Sequence, residues 1–448
     1  MKEKRGRSKV NVGYSIGLFG QNILYGFMGT YMIIFYTDAL GVSAALAGSI
    51  ILFSRIFDAV NDPVMGIVAD KTRTRWGKFR PYILFLPIVI TILGILAFTV
   101  PENGTLIYIA ITYVLFWIAY TALDIPYWSL LPVIAKTPEE RNKINAVASL
   151  FTLGGALVVS VVAVPLIIFF GGSTSNPEGY VPVIVIIGVI LMITCFITFR
   201  STSEGKVDVT HQREKAKLID YIRLIIKNQP LLLIMISYIC FQIPFVLKQS
   251  VQVYFFKYVI GGESMVAIAG GTMMLFMIIG LFVSPVVAGK IGKKKTWIWG
   301  LIICSLFNAA IYFVADNLIL ILSFNALGSF GLGMGIVATG SMIADTVEYG
   351  EWKTGKRAES MIYSSRTFIT KLSTAIAGGM LGLGLTIIGY QADTVLSTFA
   401  TTGMVILMSW LPAVFTLLAI VPMKWYTLTE ERHQDIVNEL AERQHSAQ

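Results

Sequence analysis

Stretches of about 20 mostly apolar residues recur along nearly the whole chain and are separated by short polar segments. Each stretch is long enough to cross a hydrocarbon layer of about 30 Å as an α-helix. Because 55% of the 448 residues are hydrophobic and only 14% are charged, two or three soluble domains are excluded. The pattern predicts an all-α membrane protein with twelve transmembrane helices, six on each side of a polar segment at residues 200–230.

The basic residues are distributed unevenly along the chain. A formal net charge of +9 could indicate a nucleic-acid partner, but 30 of the 35 lysines and arginines fall in segments predicted to face the cytoplasm. The other five, which lie in apolar spans, are Arg55, Lys248, Lys257, Arg366 and Lys371. This asymmetry predicts a multi-pass protein of the cell (inner) membrane with both termini in the cytoplasm and no nucleic-acid partner.

The central polar segment divides the chain into two halves. We expect an N-terminal six-helix bundle at residues 1–199, a cytoplasmic linker at 200–230, a C-terminal six-helix bundle at 231–426 and a helical cytoplasmic tail at 427–448. Residues 218–226 of the linker look like an amphipathic surface helix. Each half has a basic loop after its second span, which suggests the parallel repeats of the major facilitator fold. We expect a monomer in contact with membrane lipid.

The second predicted span carries four strongly polar residues, Arg55, Asp58, Asn61 and Asp62. Asp58 and Asp62 are four residues apart and therefore lie on one face of a helix. A charge within a span costs about 2.5–3.5 kcal/mol on insertion scales, so such clusters normally face a cavity and serve transport. An ion pair between Arg55 and one aspartate is the simpler interpretation, but one cation cannot neutralise two carboxylates.

The fourth predicted span adds Thr121, Asp124 and Trp128 at spacings of three and four residues, again on one helix face. Carboxylates that share a cavity repel one another unless a cation or protons neutralise them. The hydroxyl and carboxylate oxygens are suitable for Na⁺, with Asp58 and Asp62 as its metal ligands, but H⁺ could do the same work. A lone tryptophan in a span is more often an interfacial anchor; beside Asp124 it could also contact the apolar face of a sugar.

Other chemistry is not supported by the sequence. Residues 350–356 read GEWKTGK and approximate a phosphate-binding loop, but Arg357 replaces the required Ser or Thr and no strand precedes it. All three histidines lie in the predicted linker or tail, so a histidine relay within the membrane is excluded. We expect neither an enzyme nor a bound cofactor.

Three motifs resemble those of the glycoside–pentoside–hexuronide:cation symporters, a family of the major facilitator superfamily. The first is DAVNDPVMG at residues 58–66, followed by DKTRTRWGKFRP at 70–81; the others are DIPYWS at 124–129 and DTVEYGEWKTGKR at 345–357. The resemblance implies sugar import by symport with Na⁺ or H⁺ through alternating access. The site residues that it implies are Asp58, Asn61, Asp62, Thr121 and Asp124 for the cation and Asn22, Asp124, Trp128, Ser149 and Lys371 for the substrate.

The sequence departs from this family at two substrate positions. A galactoside-transporting member has an aspartate where this chain has Asn22 and an arginine where it has Ser149, so galactosides are not favoured here. A neutral pentoside or glucoside is slightly preferred to an acidic sugar such as a hexuronide, which would pair with Lys371. The alternative is an amphipathic lipid-like substrate, because related animal proteins import lysophospholipids.

Charged residues of the cytoplasmic loops are expected to gate the inner side. We expect ion pairs between the two halves that close this side, each worth about 0–1 kcal/mol when exposed. The residues are Asp70, Arg73, Arg75, Lys78, Glu348, Glu351, Lys353 and Arg357.

Overall fold

The computed structural model describes residues 2–101, 106–135, 138–204, 226–355, 359–392 and 394–446, and these residues are almost entirely helical. No β-strand occurs among them; Thr74 and Gly77 form an isolated bridge. The α-helices are α1 (Lys2–Ile34), α2 (Ala44–Lys71), α3 (Arg80–Phe98), α4 (Leu106–Ile134), α5 (Pro138–Gly171), α6 (Tyr180–Ser201), α7 (Gln229–Tyr258), α8 (Met265–Ile291), α9 (Lys293–Ile311), α10 (Leu318–Thr354), α11 (Glu359–Ile387), α12 (Thr398–Met408), α13 (Trp410–Leu418) and α14 (Glu430–Ser446).

Eleven helical segments of the described residues are long and apolar enough to cross a membrane, and α2 is not among them. Within just over two turns, α2 carries three charged residues, Arg55, Asp58 and Asp62. The all-α membrane fold is therefore confirmed, whereas the count of twelve spans stays a prediction. The amphipathic helix expected at 218–226 lies outside the described residues except for its last position.

The chain forms two compact units. Unit 1 comprises Met1–His211, Gly262–Gly270 and Leu381–Val395, and unit 2 comprises Gln212–Gly261, Gly271–Met380 and Leu396–Gln448. The division resembles the expected six-plus-six organisation, but unit 1 also includes two short segments from the second half. The domain boundaries derived from the sequence stay a prediction.

In unit 1, α1 packs against α5 and α6, α3 against α4 and α6, and α2 against α4. Small residues allow these close approaches: a Cβ on Gly155 of α5 would meet the Phe19 carbonyl oxygen of α1 at 2.6 Å. Polar bonds join the same helices, because the Thr198 hydroxyl of α6 donates to the Gly13 carbonyl of α1 at 2.8 Å. The result is a close-packed bundle that fixes α2 beside α4.

In unit 2, the most extensive pairing is between α9 and α10. Gly300 and Gly331 bring the two backbones together, since a Cβ on Gly300 would lie 2.6 Å from the Gly331 carbonyl oxygen. Buried Trp297 of α9 donates its indole N–H to the Ser237 hydroxyl of α7 at 2.8 Å, and this hydroxyl donates to the Ala419 carbonyl. These bonds satisfy polar groups that lie within the apolar core of the unit.

The end of the chain departs from regular helix at two points. The segment predicted as the twelfth span is divided at Ser409, whose hydroxyl donates to the Val405 carbonyl at 2.5 Å, and Pro412 follows in the first turn of α13 without a backbone donor. The predicted tail helix is confirmed as α14, and the Arg432 backbone N–H donates to the Thr429 hydroxyl at its start.

Candidate functional site

The predicted cation site lies between α2 and α4 in unit 1. Asp58 of α2 is buried, with 1% of its surface exposed, and Thr121 of α4 is fully buried. The Thr121 hydroxyl donates a hydrogen bond to the Asp58 carboxylate. Two of the five residues predicted for the cation are thus joined directly.

The remaining cation-site residues are on the same two helices. Asn61 and Asp62 follow Asp58 by about one turn of α2, and Asp124 follows Thr121 by one turn of α4; all three are half-buried. Hard cations prefer carboxylate, amide and hydroxyl oxygens. The donor types in this cluster therefore fit Na⁺, and the carboxylates alone could instead accept H⁺.

Asp124 connects the cluster to an aromatic surface. The Trp128 indole N–H donates to the Asp124 carboxylate at 3.1 Å, and 45% of the Trp128 side chain is exposed. An exposed ring fixed by a half-buried carboxylate provides an apolar face and hydrogen-bond acceptors within one turn of helix.

Arg55 does not form the ion pair considered from the sequence. Its guanidinium is 1% exposed and lies 3.3 Å from the Trp117 ring centroid and 5.2 Å from that of Tyr25. Within the described residues, no acidic side chain forms an ion pair with it and its three nitrogens make no hydrogen bond. Cation–π contacts to two aromatic rings stabilise the buried charge instead. Sequence reasoning missed this arrangement because Trp117 is on another helix.

The predicted substrate residues Asn22 and Ser149 bond their own helices. The Asn22 amide donates to the Leu18 carbonyl at 2.9 Å, and the exposed Ser149 hydroxyl donates to the Asn145 carbonyl at 2.8 Å. They occupy two helices that pack together, α1 and α5, but do not bond to each other. Their position on paired helices is consistent with the expectation, although no contact assigns them to a ligand.

Lys371 belongs to unit 2, where α11 places it with 8% of its surface exposed. The hydroxyl-rich face around it is bonded along the helix: Thr370 donates to the Arg366 carbonyl at 3.1 Å and Thr374 to the Thr370 carbonyl at 2.9 Å. The Arg366 guanidinium lies 5.6 Å from the Tyr238 ring centroid. Lys371 is therefore a buried amine on a hydroxyl-rich face, and its role in substrate binding stays a prediction.

The basic loop after α2 is attached to unit 1 by a residue that sequence reasoning missed. The Glu204 carboxylate accepts backbone N–H bonds from Lys78, Phe79 and Arg80, the last two at 2.8 Å. Gly77 makes this possible, because it adopts a φ of 111° and a Cβ there would meet Glu204 at 2.6 Å. More than 120 residues separate the partners along the chain, so no local pattern indicates the contact.

Among the predicted gating residues of this loop, Arg73 and Arg75 are exposed, and Arg75 lies 4.3 Å from the Trp76 ring centroid. The Asp70 side chain lies outside the described part of the structure. The described contacts of the loop are thus within unit 1, and its pairing with the other half stays a prediction.

The second group of predicted gating residues is on α10 and contacts the tail helix α14. Glu348 lies 3.6 Å from the His433 imidazole, and the neighbouring Asp345 forms a 2.6 Å ion pair with Lys293. The Trp352 indole N–H donates to Glu439 at 2.6 Å, which fixes α14 against α10. Burial and the nearby Asp345 carboxylate raise the pKa of the Tyr426 hydroxyl, which therefore stays protonated at neutral pH.

Three further gating residues were predicted at the end of α10 and just after it. Glu351 is half-buried, Lys353 is exposed with its amine 5.6 Å from the Tyr349 ring centroid, and Arg357 lies outside the described residues. Ion pairing of these residues with the first half stays a prediction.

Comparisons with known proteins show that this helical membrane protein is a secondary transporter and show its family. A family described as MFS/sugar transport protein matches residues 13–430, so the chain belongs to this family of the major facilitator superfamily. The predicted resemblance to the cation symporters is confirmed, and the protein is a multi-pass membrane transporter of the sugar type rather than an enzyme.

Two relatives and one solved structure illustrate the similarity. The isoprimeverose transporter of Lactiplantibacillus pentosus is 32% identical over 421 residues, 92% of this chain and 87% of the relative. A putative sulfoquinovose importer of Escherichia coli (strain K12) is 30% identical over 440 residues, 96% of this chain and 93% of the relative. The crystal structure of a D-xylose-proton symporter aligns with a TM-score of 0.67 at 11% identity, covering 94% of this chain and 97% of that one, and shows the fold alone.

Proposed function

We propose that this protein imports a glycoside or related sugar across the cell (inner) membrane by symport with Na⁺ or H⁺ through alternating access. The observation that carries the proposal is the hydrogen bond between buried Thr121 and Asp58, one turn from the Asp124–Trp128 pair. Helix α4 thus contributes to two surfaces. One is a cluster of oxygen atoms suited to a cation, and the other is an aromatic surface suited to a sugar.

Coupling follows from the charge of this cluster. Asp58, Asp62 and Asp124 belong to two packed helices, and carboxylates close together in a membrane span repel one another. A bound Na⁺ or H⁺ would reduce this repulsion, and the Asp124 carboxylate that holds Trp128 would transmit the change to the sugar surface. Cation and sugar would then each increase the affinity for the other by the same factor.

For the substrate we infer a neutral pentoside or glucoside first and an acidic sugar second. Trp128 and Asp124 offer a ring face and acceptors for hydroxyl groups, and a relative is named for isoprimeverose. Buried Lys371 supports the acidic sugar, as does the relative named for sulfoquinovose. The amphipathic lipid-like substrate stays the alternative.

At the cytoplasmic side we propose that the charged loops after α2 and α10 form the inner gate, with both termini in the cytoplasm. Exposed Arg73 and Arg75 have no acidic partner within the described residues, whereas Glu348 is exposed enough to exchange partners. Replacing several of these charges at once should raise the accessibility of inward-facing thiol probes. Unchanged accessibility would reject the gate.

The experiment for the transport function uses purified protein in proteoliposomes with an imposed Na⁺ gradient at equal pH or a pH gradient without Na⁺. We expect concentrative uptake of a xyloside or β-glucoside under one of the two gradients. Uptake that reaches only equilibrium under both gradients, with every sugar offered, would refute symport. The gradient that drives accumulation, of Na⁺ or of pH, identifies the coupling ion.

A further inference from the structure

A buried lysine in unit 2 has no role in the transport site described above. Lys248 of α7 has 6% of its surface exposed and donates to the Asn308 side-chain carbonyl of α9. Within the described residues, no aspartate or glutamate forms an ion pair with Lys248. Charged side chains inside membrane spans are costly and normally pair with an opposite charge. Lys248 is therefore a buried cation to which no side chain in the described part of the chain supplies a counter-charge.

The lysine borders a small cavity within unit 2. Its volume is about 20 Å³, which is room for about one water-sized particle. Its polar lining consists of Lys248, Asn308, Cys304, Ser329 and Thr416, and the rest is apolar, including phenylalanine side chains from α7. A cavity with this room does not hold a whole sugar.

The hydrogen-bond partners of the lining show which kind of ligand fits. The Ser329 and Thr416 hydroxyls both donate to carbonyls of their own helices at 2.7 Å. The Asn308 amide donates one hydrogen to the Cys304 sulfur at 3.1 Å and has a second available. An ammonium has three hydrogens, of which Lys248 uses one for Asn308. The donors that remain come from a cation and an amide, so the cavity selects an acceptor.

We propose that this cavity binds one monovalent inorganic anion of about the size of chloride, held by Lys248 and Asn308. A neutral water could accept the same hydrogen bonds but would leave the buried positive charge uncompensated, which is the costly outcome in a membrane protein. The site belongs to unit 2, whereas the Asp58–Thr121 cluster belongs to unit 1. Its ligand would stabilise the folded second bundle without being transported.

The test measures thermal unfolding of the full-length protein in detergent as sodium gluconate is replaced by sodium chloride at constant Na⁺ and ionic strength. An anion that binds only the folded state raises the Tm in a saturable manner. At chloride about tenfold above its Kd, we expect a rise of about 1–3 °C. Bromide should replace chloride, and the larger sulfate ion should not. A wild-type Tm that is equal in gluconate and chloride would overturn the proposal.

Three variants assign the response to this cavity. Lys248→Met should abolish the chloride response, while Lys257→Met on the same helix, which removes a half-buried lysine near Tyr258, should retain it. Asn308→Asp supplies a carboxylate of similar shape beside Lys248, so its Tm should no longer depend on chloride. Asn308→Asp therefore tests whether the chloride response comes from this cavity even if Lys248→Met does not fold. A chloride response that persists in Asn308→Asp would place the anion elsewhere and refute the assignment.

Discussion

The hydrogen bond from Thr121 to Asp58 makes a quantitative prediction. Replacing Thr121 with Val keeps the shape of the side chain but removes the hydroxyl, so the buried carboxylate loses a donor and the cation loses an oxygen ligand. A hydrogen bond to a charged group is worth about 1.5–3 kcal/mol. At about 1.4 kcal/mol for each factor of ten, the half-saturating Na⁺ concentration should rise by about 10- to 150-fold. If the coupling ion is H⁺, its half-saturating concentration should instead fall, because a carboxylate without this donor binds a proton more tightly.

The assay is the initial rate of sugar uptake into proteoliposomes as a function of Na⁺ or H⁺ concentration. Thr121→Ser keeps a hydroxyl and should restore much of the affinity. The matched control is Thr112→Val on the same helix, because the buried Thr112 hydroxyl donates to the Tyr108 carbonyl at 2.9 Å and serves only the helix backbone. If the half-saturating concentration in Thr121→Val stays within about twofold of wild type, the hydroxyl is not part of the cation site.

Further predictions concern the same helices and the loop after α2. Asp58→Asn and Asp62→Asn should each abolish uphill accumulation while leaving downhill sugar exchange; concentrative uptake equal to wild type in both would contradict the cation site. In uptake kinetics, Trp128→Ala should raise the KM for sugar by about 10-fold or more because the ring contact is lost, whereas Trp128→Tyr should retain part of the affinity. A KM of Trp128→Ala equal to that of the wild type would show that the exposed ring does not bind substrate. Glu204→Gln should lower the Tm by several degrees, because the amide keeps one acceptor oxygen while its NH2 group faces a backbone N–H that loses its acceptor, and an unchanged Tm would show that the cap adds no stability. In a competition assay, xylosides, β-glucosides and glucuronides should each displace substrate better than the galactoside melibiose. A preference for melibiose would show that the departures from the galactoside transporter at Asn22 and Ser149 have been misinterpreted.

Several features could be predicted from sequence because their causes are local. Span positions follow from hydropathy, and the tail helix begins where Thr429 can cap it. The shared helix faces of Asp58 with Asp62 and of Thr121 with Asp124 follow from helical periodicity alone. Helical geometry gives residues three or four apart the same face in any helix, so these predictions did not depend on how the helices pack.

The contacts that give the site its chemistry depend on which helices meet. Arg55 is three residues from Asp58, and proximity in sequence favoured an ion pair, yet α2 lies against α4 so that Trp117 receives the guanidinium. Glu204 and Lys78 are far apart in the chain, and only the return of α6 to the loop joins them. A buried charge pairs with whichever group the packed helices bring within a few ångströms. The identity of that group cannot be predicted from residue spacing along one helix.

The sequence by itself determined the class of fold, the predominance of basic residues in the segments between spans and the inventory of polar residues inside the membrane, because each depends on hydropathy, charge and helical period. The tertiary structure decided the partners of those residues: Thr121 for Asp58, aromatic rings for Arg55 and Asn308 for Lys248. The physical reason is that insertion into a bilayer is governed by the transfer energy of each segment, whereas the pairing of a buried charge is governed by contacts across helices that are distant in sequence.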